Sequence, residues 1–166
     1  SLQDARYRSG APAGNKDVLP VVLLLRDVSS SMEGDRLEIS RELLSCTVRF
    51  LKTRYPQAWL VYLVHDIDAR EVSCEEFFSV AKCGGTKVSQ AYRLMLEILG
   101  SRFKGERYLR YCLHVSDGNL RLADAIGCRN LLTGILPLTR RFGYFQIGEA
   151  EACAGGSLYE TFLPMA

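Results

Sequence analysis

Three short oxygen-rich segments carry the chemistry that this chain could do. Asp27-Val28-Ser29-Ser30-Ser31 follows an apolar run, Gly84-Gly85-Thr86 precedes an amphipathic stretch, and Ser116-Asp117-Gly118 follows a second apolar run. Carboxylates and hydroxyls are hard donors, so Asp27, Ser29, Ser31, Thr86 and Asp117 together suit magnesium or manganese rather than zinc, which prefers His and Cys. In the first segment Asp27, Ser29 and Ser31 alternate, so their oxygens can turn toward one centre while Val28 and Ser30 face elsewhere. Gly84 and Gly85 let the backbone pass close to that centre. Two carboxylates balance a divalent charge, and small hydroxyl donors leave room for water or an incoming anionic group.

For these segments to meet, the intervening elements must carry them to one end of a fold. Leu19 to Leu25 is a continuous aliphatic run of the kind found in a central parallel strand. Arg36 to Arg54 places Leu37, Leu44, Val48 and Leu51 at helical spacing, with Asp35 and Glu38 resembling a capping box. Trp59 to Val64 is expected as a second strand, and Ala69 to Val72 follows too soon for a helical crossover, which predicts an antiparallel edge. Val88 to Phe103 reads as a helix with Val88, Ala91, Met95 and Ile98 on one face, capped by Thr86 or Ser89. Tyr108 to Val115 is the fourth strand, Arg129 to Leu136 a helix stopped by Pro137, and Phe142 to Ile147 the fifth strand.

This alternation predicts an α/β fold, a doubly wound and mostly parallel sheet flanked by helices with one short antiparallel edge strand. Ligands of such sheets bind outside the carboxyl ends of the strands, where the strand order switches direction. Asp27 and Asp117 each come at the end of a strand, and Thr86 lies in a loop entering a helix, so all three can converge. Residues 1–17 read as an extended arm and 18–166 as the domain, compatible with a fragment of a longer protein.

Composition narrows the function classes. A chain of 166 residues suits one core. A net charge of +2 and 24% charged residues lack the basic excess of a nucleic-acid-binding domain. Val18 to Leu25 is far short of the roughly 20 residues of a membrane span, so no membrane partner and a cytoplasmic location are expected. The 6 cysteines form no C-x-x-C pair and are expected mostly as small buried hydrophobes.

The ordered set resembles the von Willebrand factor A fold, whose metal-ion-dependent adhesion site is written D-x-S-x-S, then Thr, then Asp. The resemblance narrows to the bacterial YeaH/YhbH family through Asp4 to Arg8, Asp27 to Met32, Glu71 to Phe78, Gly84 to Thr86 with Leu94 to Ile98, and Ser116 to Gly118. It covers roughly residues 4 to 148. It implies that Ser29, Ser31 and Thr86 approach a Mg2+ or Mn2+ ion most directly. Asp27 and Asp117 would act directly or through bound water, and a carboxylate from a protein partner would complete the shell. It also implies an association with a bacterial serine protein kinase in stress or sporulation pathways. Two positions depart from the pattern: Ser30 stands where Gly is usual and Arg26 where an apolar residue is usual, and both are expected to point away from the metal. No sixth strand is evident after Glu149, which would leave strand five as a sheet edge.

Other chemistries fit less well. Taken singly, each segment is compatible with an ordinary turn or cap; their combination and order point to the metal site. A magnesium-dependent phosphatase or phosphotransfer enzyme using Asp27 would want an acid two residues later, where Ser29 stands. Gly85-Thr86-Lys87 lacks the phosphate-binding G-x-x-x-x-G-K-S/T frame, and Ser116 lacks the glycines of a nucleophile elbow. His65 and His114 are expected as structural residues, His65 being the more ambiguous because Asp66 and Asp68 stand beside it. The expected function is a non-catalytic, metal-dependent protein-interaction module with a scaffolding or regulatory role; the alternatives are the phosphotransfer enzyme and a chelatase-like assembly subunit working with an ATPase.

Overall fold

A computed structural model describes residues 18–81, 84–148 and Leu158, so the expectations for the arm at 1–17 and for most of the chain beyond 148 lie outside the described residues. Five strands form one sheet: β1 (Leu19–Asp27), β2 (Trp59–His65), β3 (Ala69–Val72), β4 (Tyr108–Ser116) and β5 (Arg141–Gln146). Their order is β3-β2-β1-β4-β5; all pairings are parallel except β2 with β3. The doubly wound, mostly parallel sheet with one antiparallel edge strand is thus the observed architecture. Among the described residues β5 is the opposite edge.

β1 is central because both its faces are aliphatic. Val21, Leu23 and Leu25 enter one core with Val61, Leu63 and the helices α3 (Val88–Ser101) and α4 (Leu122–Ile135). Val22 and Leu24 enter a second core against α1 (Asp35–Arg54) and α2 (Cys74–Ser79). Residues alternate across a strand, so a run apolar on both faces can be stabilised only with helices on each side. Each fully buried leucine contributes roughly 1.5–3 kcal/mol relative to exposure. Val88, Ala91, Met95 and Ile98 are buried together, as their helical spacing requires.

Several local expectations need correction. The Asp35–Glu38 capping box does not form: Gly34 is the N-cap, at φ 63°, and its carbonyl accepts from Leu37 and Glu38 while both acids sit in the first turn. Neither Thr86 nor Ser89 caps α3 through its side chain; Lys87 occupies the cap position. Asp124 of α4 supplies the missing acceptor, its Oδ2 3.0 Å from the Ser89 amide. A tertiary acceptor replaces the local one because α4 packs across the start of α3. The Arg129–Leu136 helix begins earlier, at Leu122, and α2 is a helix that the sequence pattern does not predict. α2 has 6 residues, too few to show a period, yet Ser73 caps it by accepting from the Glu76 amide at 3.1 Å. Of the cysteines described, Cys112 and Cys128 are buried as expected, whereas Cys46 is exposed and Cys74 half-buried.

Candidate metal centre

The strand order changes direction at β1 and β4, which are neighbours but distant in sequence, and every candidate residue except Thr86 lies at or just beyond the carboxyl end of one of these two strands. Asp27 closes β1 and Ser116 closes β4. Asp27 is fully buried with both carboxylate oxygens engaged. Its Oδ1 accepts from the Ser29 amide at 2.9 Å, and its Oδ2 accepts from the Ser116 hydroxyl at 2.6 Å across the switch point. These bonds satisfy a carboxylate whose burial would otherwise be costly and fix its orientation. The Ser29–Asp27 bond also turns the loop so that the Ser29 and Ser31 hydroxyls face each other, 3.1 Å apart.

Asp117 follows directly on β4 and its side chain is 2% exposed. Its Oδ1 accepts from the Asn119 amide at 3.0 Å, and Gly118, at φ 84°, makes the tight turn that brings Asn119 back. Its Oδ2 faces Arg36 Nη1 at 3.2 Å. The same nitrogen donates to the Ser31 carbonyl at 3.2 Å, so one guanidinium ties the β1 loop to the β4 loop. Nothing in the sequence reading singled out Arg36. Its signal was only proximity: it lies five residues beyond Ser31, on the first turn of the helix that this loop enters.

Thr86 is half-buried on the third segment. Its loop is held to the first one by Ser30, whose amide and hydroxyl both donate to the Gly84 carbonyl, at 3.1 and 3.0 Å. The Lys87 amide anchors the far side on the Asp66 carbonyl at 2.8 Å. The structure therefore brings Asp27, Ser29, Ser31 and Asp117 together through direct hydrogen bonds and Arg36, while Thr86 joins by loop-to-loop contact. Among the described residues Thr86 makes no hydrogen bond to the other four. A cleft of about 470 Å³, lined in part by Thr86, Lys87, Arg121 and Ile67, opens beside it.

Behind Asp27 the same face of the sheet carries a buried polar chain. His65 Nε2 and His114 Nε2 lie 2.9 Å apart, and the Tyr92 hydroxyl is 2.9 Å from His114 Nδ1. Burial, reinforced by His65, holds the His114 pKa well below its ordinary value. Burial also raises the Tyr92 hydroxyl well above its own, so His114 and Tyr92 are both neutral. Both histidines are fully buried in this arrangement. Arg26 points away from the site, as expected, but into the other core: it is fully buried, donates from Nη2 to the Val80 carbonyl and lies over the Phe77 ring at 5.7 Å. Desolvation, reinforced by Arg41, lowers its pKa to about 10, with Asp27 opposing the fall.

The metal that the motif implies must be matched by the donor set. It contains two carboxylates and three hydroxyls, and no cluster of three or more His, Cys, Asp or Glu side chains able to hold an ion occurs among the described residues. Hard oxygen donors in that proportion fit magnesium or manganese and not zinc.

Comparison with known proteins agrees with the fold. A family model described as protein of unknown function, DUF444, matches residues 2–163. The chain belongs to this family. A UPF0229 protein of Thiobacillus denitrificans is 40% identical over 149 residues, covering 89% of this chain and 35% of the relative. UPF0229 protein BH1031 of Halalkalibacterium halodurans is 31% identical over 146 residues, covering 88% of this chain and 38% of the relative. The chain thus spans little more than a third of the length of these DUF444 relatives. Among solved structures, a von Willebrand factor type A protein from Catenulispora acidiphila aligns at TM-score 0.58 and 15% identity, over 76% of this chain and 32% of that one. Manganese-loaded Plasmodium vivax TRAP protein aligns at TM-score 0.66 and 15% identity, over 87% of this chain and 61% of that one. At such identity the likeness establishes the fold: this DUF444 chain has a von Willebrand factor A-like fold, as the resemblance to YeaH/YhbH proteins implied. Among the described residues no helix is long and apolar enough to cross a membrane.

Proposed function

We propose that this chain is a metal-ion-dependent protein-interaction module, in which Asp27, Ser29, Ser31, Thr86 and Asp117 hold Mg2+ or Mn2+ and an acidic side chain of a protein partner completes the coordination shell. The observation that carries this reading is the paired geometry of the first loop: two hydroxyls 3.1 Å apart, set by a buried carboxylate that is itself oriented by two hydrogen bonds. Such preorganisation suits a small, hard cation that demands near-fixed ligand positions. The manganese carried by the TRAP neighbour of the same fold supports the same ion class. The bound ion would supply a positive centre with an open position for a carboxylate; the chain's own residues would orient the donors and exclude competing side chains.

The role is non-catalytic, scaffolding or regulatory, in a cytoplasmic setting, and belongs to a bacterial stress or sporulation pathway that includes a serine protein kinase. A phosphotransfer role for Asp27 is disfavoured because Ser29 stands two residues later, where such an enzyme wants its general acid.

Calorimetric titration of the full-length protein with Mg2+ and Mn2+, repeated on Asp117→Ala with its fold checked by circular dichroism, tests the reading. Saturable binding that disappears in the folded variant is the expected result. Equal binding in both would refute the proposed centre, as would the absence of binding both in the wild type and in an Arg36→Gln variant.

A further inference from the structure

Among the described residues Arg36 is the one cation that the structure sets directly on a candidate metal-binding carboxylate. Nη1 bridges the Ser31 carbonyl and Asp117 Oδ2, at 3.2 Å each, from a side chain that is 30% exposed while Asp117 is almost wholly covered. The contact joins the two loops that a metal ion would join. Gly148 lies over the guanidinium: a Cβ there would come within 3.3 Å of Arg36 Nε, so the side chain is confined from above as well as held at its tip. An ordinary surface ion pair is screened and worth little, but one whose carboxylate is buried keeps more of its strength.

We propose that Arg36 is the residue that sets the metal affinity of this centre, acting as an internal competitor for Asp117 and as a repulsive charge toward any divalent ion held there. This inference rests on the metal-binding reading above. Without metal, the guanidinium balances Asp117 and keeps the two loops together. With metal, the ion and Arg36 share one carboxylate and repel each other. In a water-like dielectric a unit charge several ångströms from a divalent ion weakens its binding roughly tenfold. An acidic partner offsets that repulsion by placing a carboxylate beside both cations, so ion and partner favour each other's binding, reciprocally. Arg36 therefore makes occupancy of the centre depend on the acidic partner.

The test is Mg2+ titration of the full-length protein and of Arg36→Gln, with thermal unfolding of both in chelator. The expected result is Mg2+ binding on the order of tenfold tighter in Arg36→Gln, together with a lower unfolding temperature in chelator. Binding by Arg36→Gln alone, with none by the wild type, supports the inference most strongly. Wild-type binding that is unchanged or weakened in the folded variant overturns it and leaves the metal-binding reading standing; binding by neither overturns both. If Arg36→Gln does not fold, the NMR resonance of the Arg36 Nε–Hε group decides on the wild type. It should move along the same Mg2+ curve as the calorimetric signal, and a resonance that stays fixed while metal binds overturns the inference.

Discussion

At the carboxyl end of β1 two adjacent residues bury opposite charges on opposite faces of the sheet, and the molecule treats them differently. Asp27 has both oxygens engaged, by Ser29 and Ser116, beside the hydrogen-bonded His65–His114–Tyr92 chain. Arg26, one residue earlier, donates to Val80 and stacks on Phe77, yet its Nε and Nη1 have no hydrogen-bond partner among the described residues. Removing one partner of a satisfied buried charge is costly, whereas replacing an incompletely paired buried charge with an apolar side chain of similar volume is often neutral or favourable. The face that carries the candidate centre satisfies both oxygens of its buried carboxylate; the face behind it tolerates an arginine that the local environment does little to repay.

This contrast is open to direct tests. Asp27→Ala should cost about 3 kcal/mol in urea unfolding, because the Ser116 hydroxyl and the Ser29 amide lose their acceptor; a loss under about 1 kcal/mol would mean that the polar face is not held by this carboxylate. Gly118→Ala strikes the same face through the backbone. Its φ of 84° disfavours a side chain, and a Cβ would sit 2.6 Å from Gln146 Oε1. A destabilisation of about 2 kcal/mol, measured by thermal unfolding, is expected.

Arg26→Met should move the other way, stabilising by about 1 kcal/mol, since methionine fills the space over Phe77 without burying a charge. A marked destabilisation would break the comparison and reveal that Arg26 is paired in the native protein. The smallest effect is expected from pH. His114 stays neutral in the fold because burial, then His65, lowers its pKa below the ordinary 6.5. The unfolded chain therefore binds this proton first, so stability is full above about pH 6.5 and is lost as pH falls below it. Urea midpoints between pH 7.5 and 5.5 should decline for the wild type and decline less steeply for His114→Gln.

Much of the fold was legible because it follows from short-range pattern. The aliphatic run of β1, the apolar run of β4, the helical spacing of Val88, Ala91, Met95 and Ile98, and the short gap before Ala69 each fixed an element correctly. α2 escaped because one and a half turns carry no detectable period, although Ser73 three residues before Glu76 was a usable cap signal. The start of α4 was missed for a related reason. Leu122 to Cys128 contains Gly127, and small and apolar residues there do not form a clear stripe; in the structure Gly127 packs close to Ser89.

The sequence by itself determined the kind of chemistry available, since two carboxylates and three hydroxyls at strand ends are hard oxygen donors wherever they fold. It also determined the sheet, because runs apolar on both faces can be buried only between two helical layers. Only the tertiary structure decided how those donors are held. Ser116 reaches Asp27 across 89 positions of sequence, Arg36 reaches Asp117 across 81, and Asp124 caps α3 from α4. Such contacts depend on which strands become neighbours, and side chains far apart in the chain meet only after the sheet has closed. Local patterning carries no trace of them, which is why the oxygen-rich segments stand out in the sequence and the arginine clamped onto Asp117 does not.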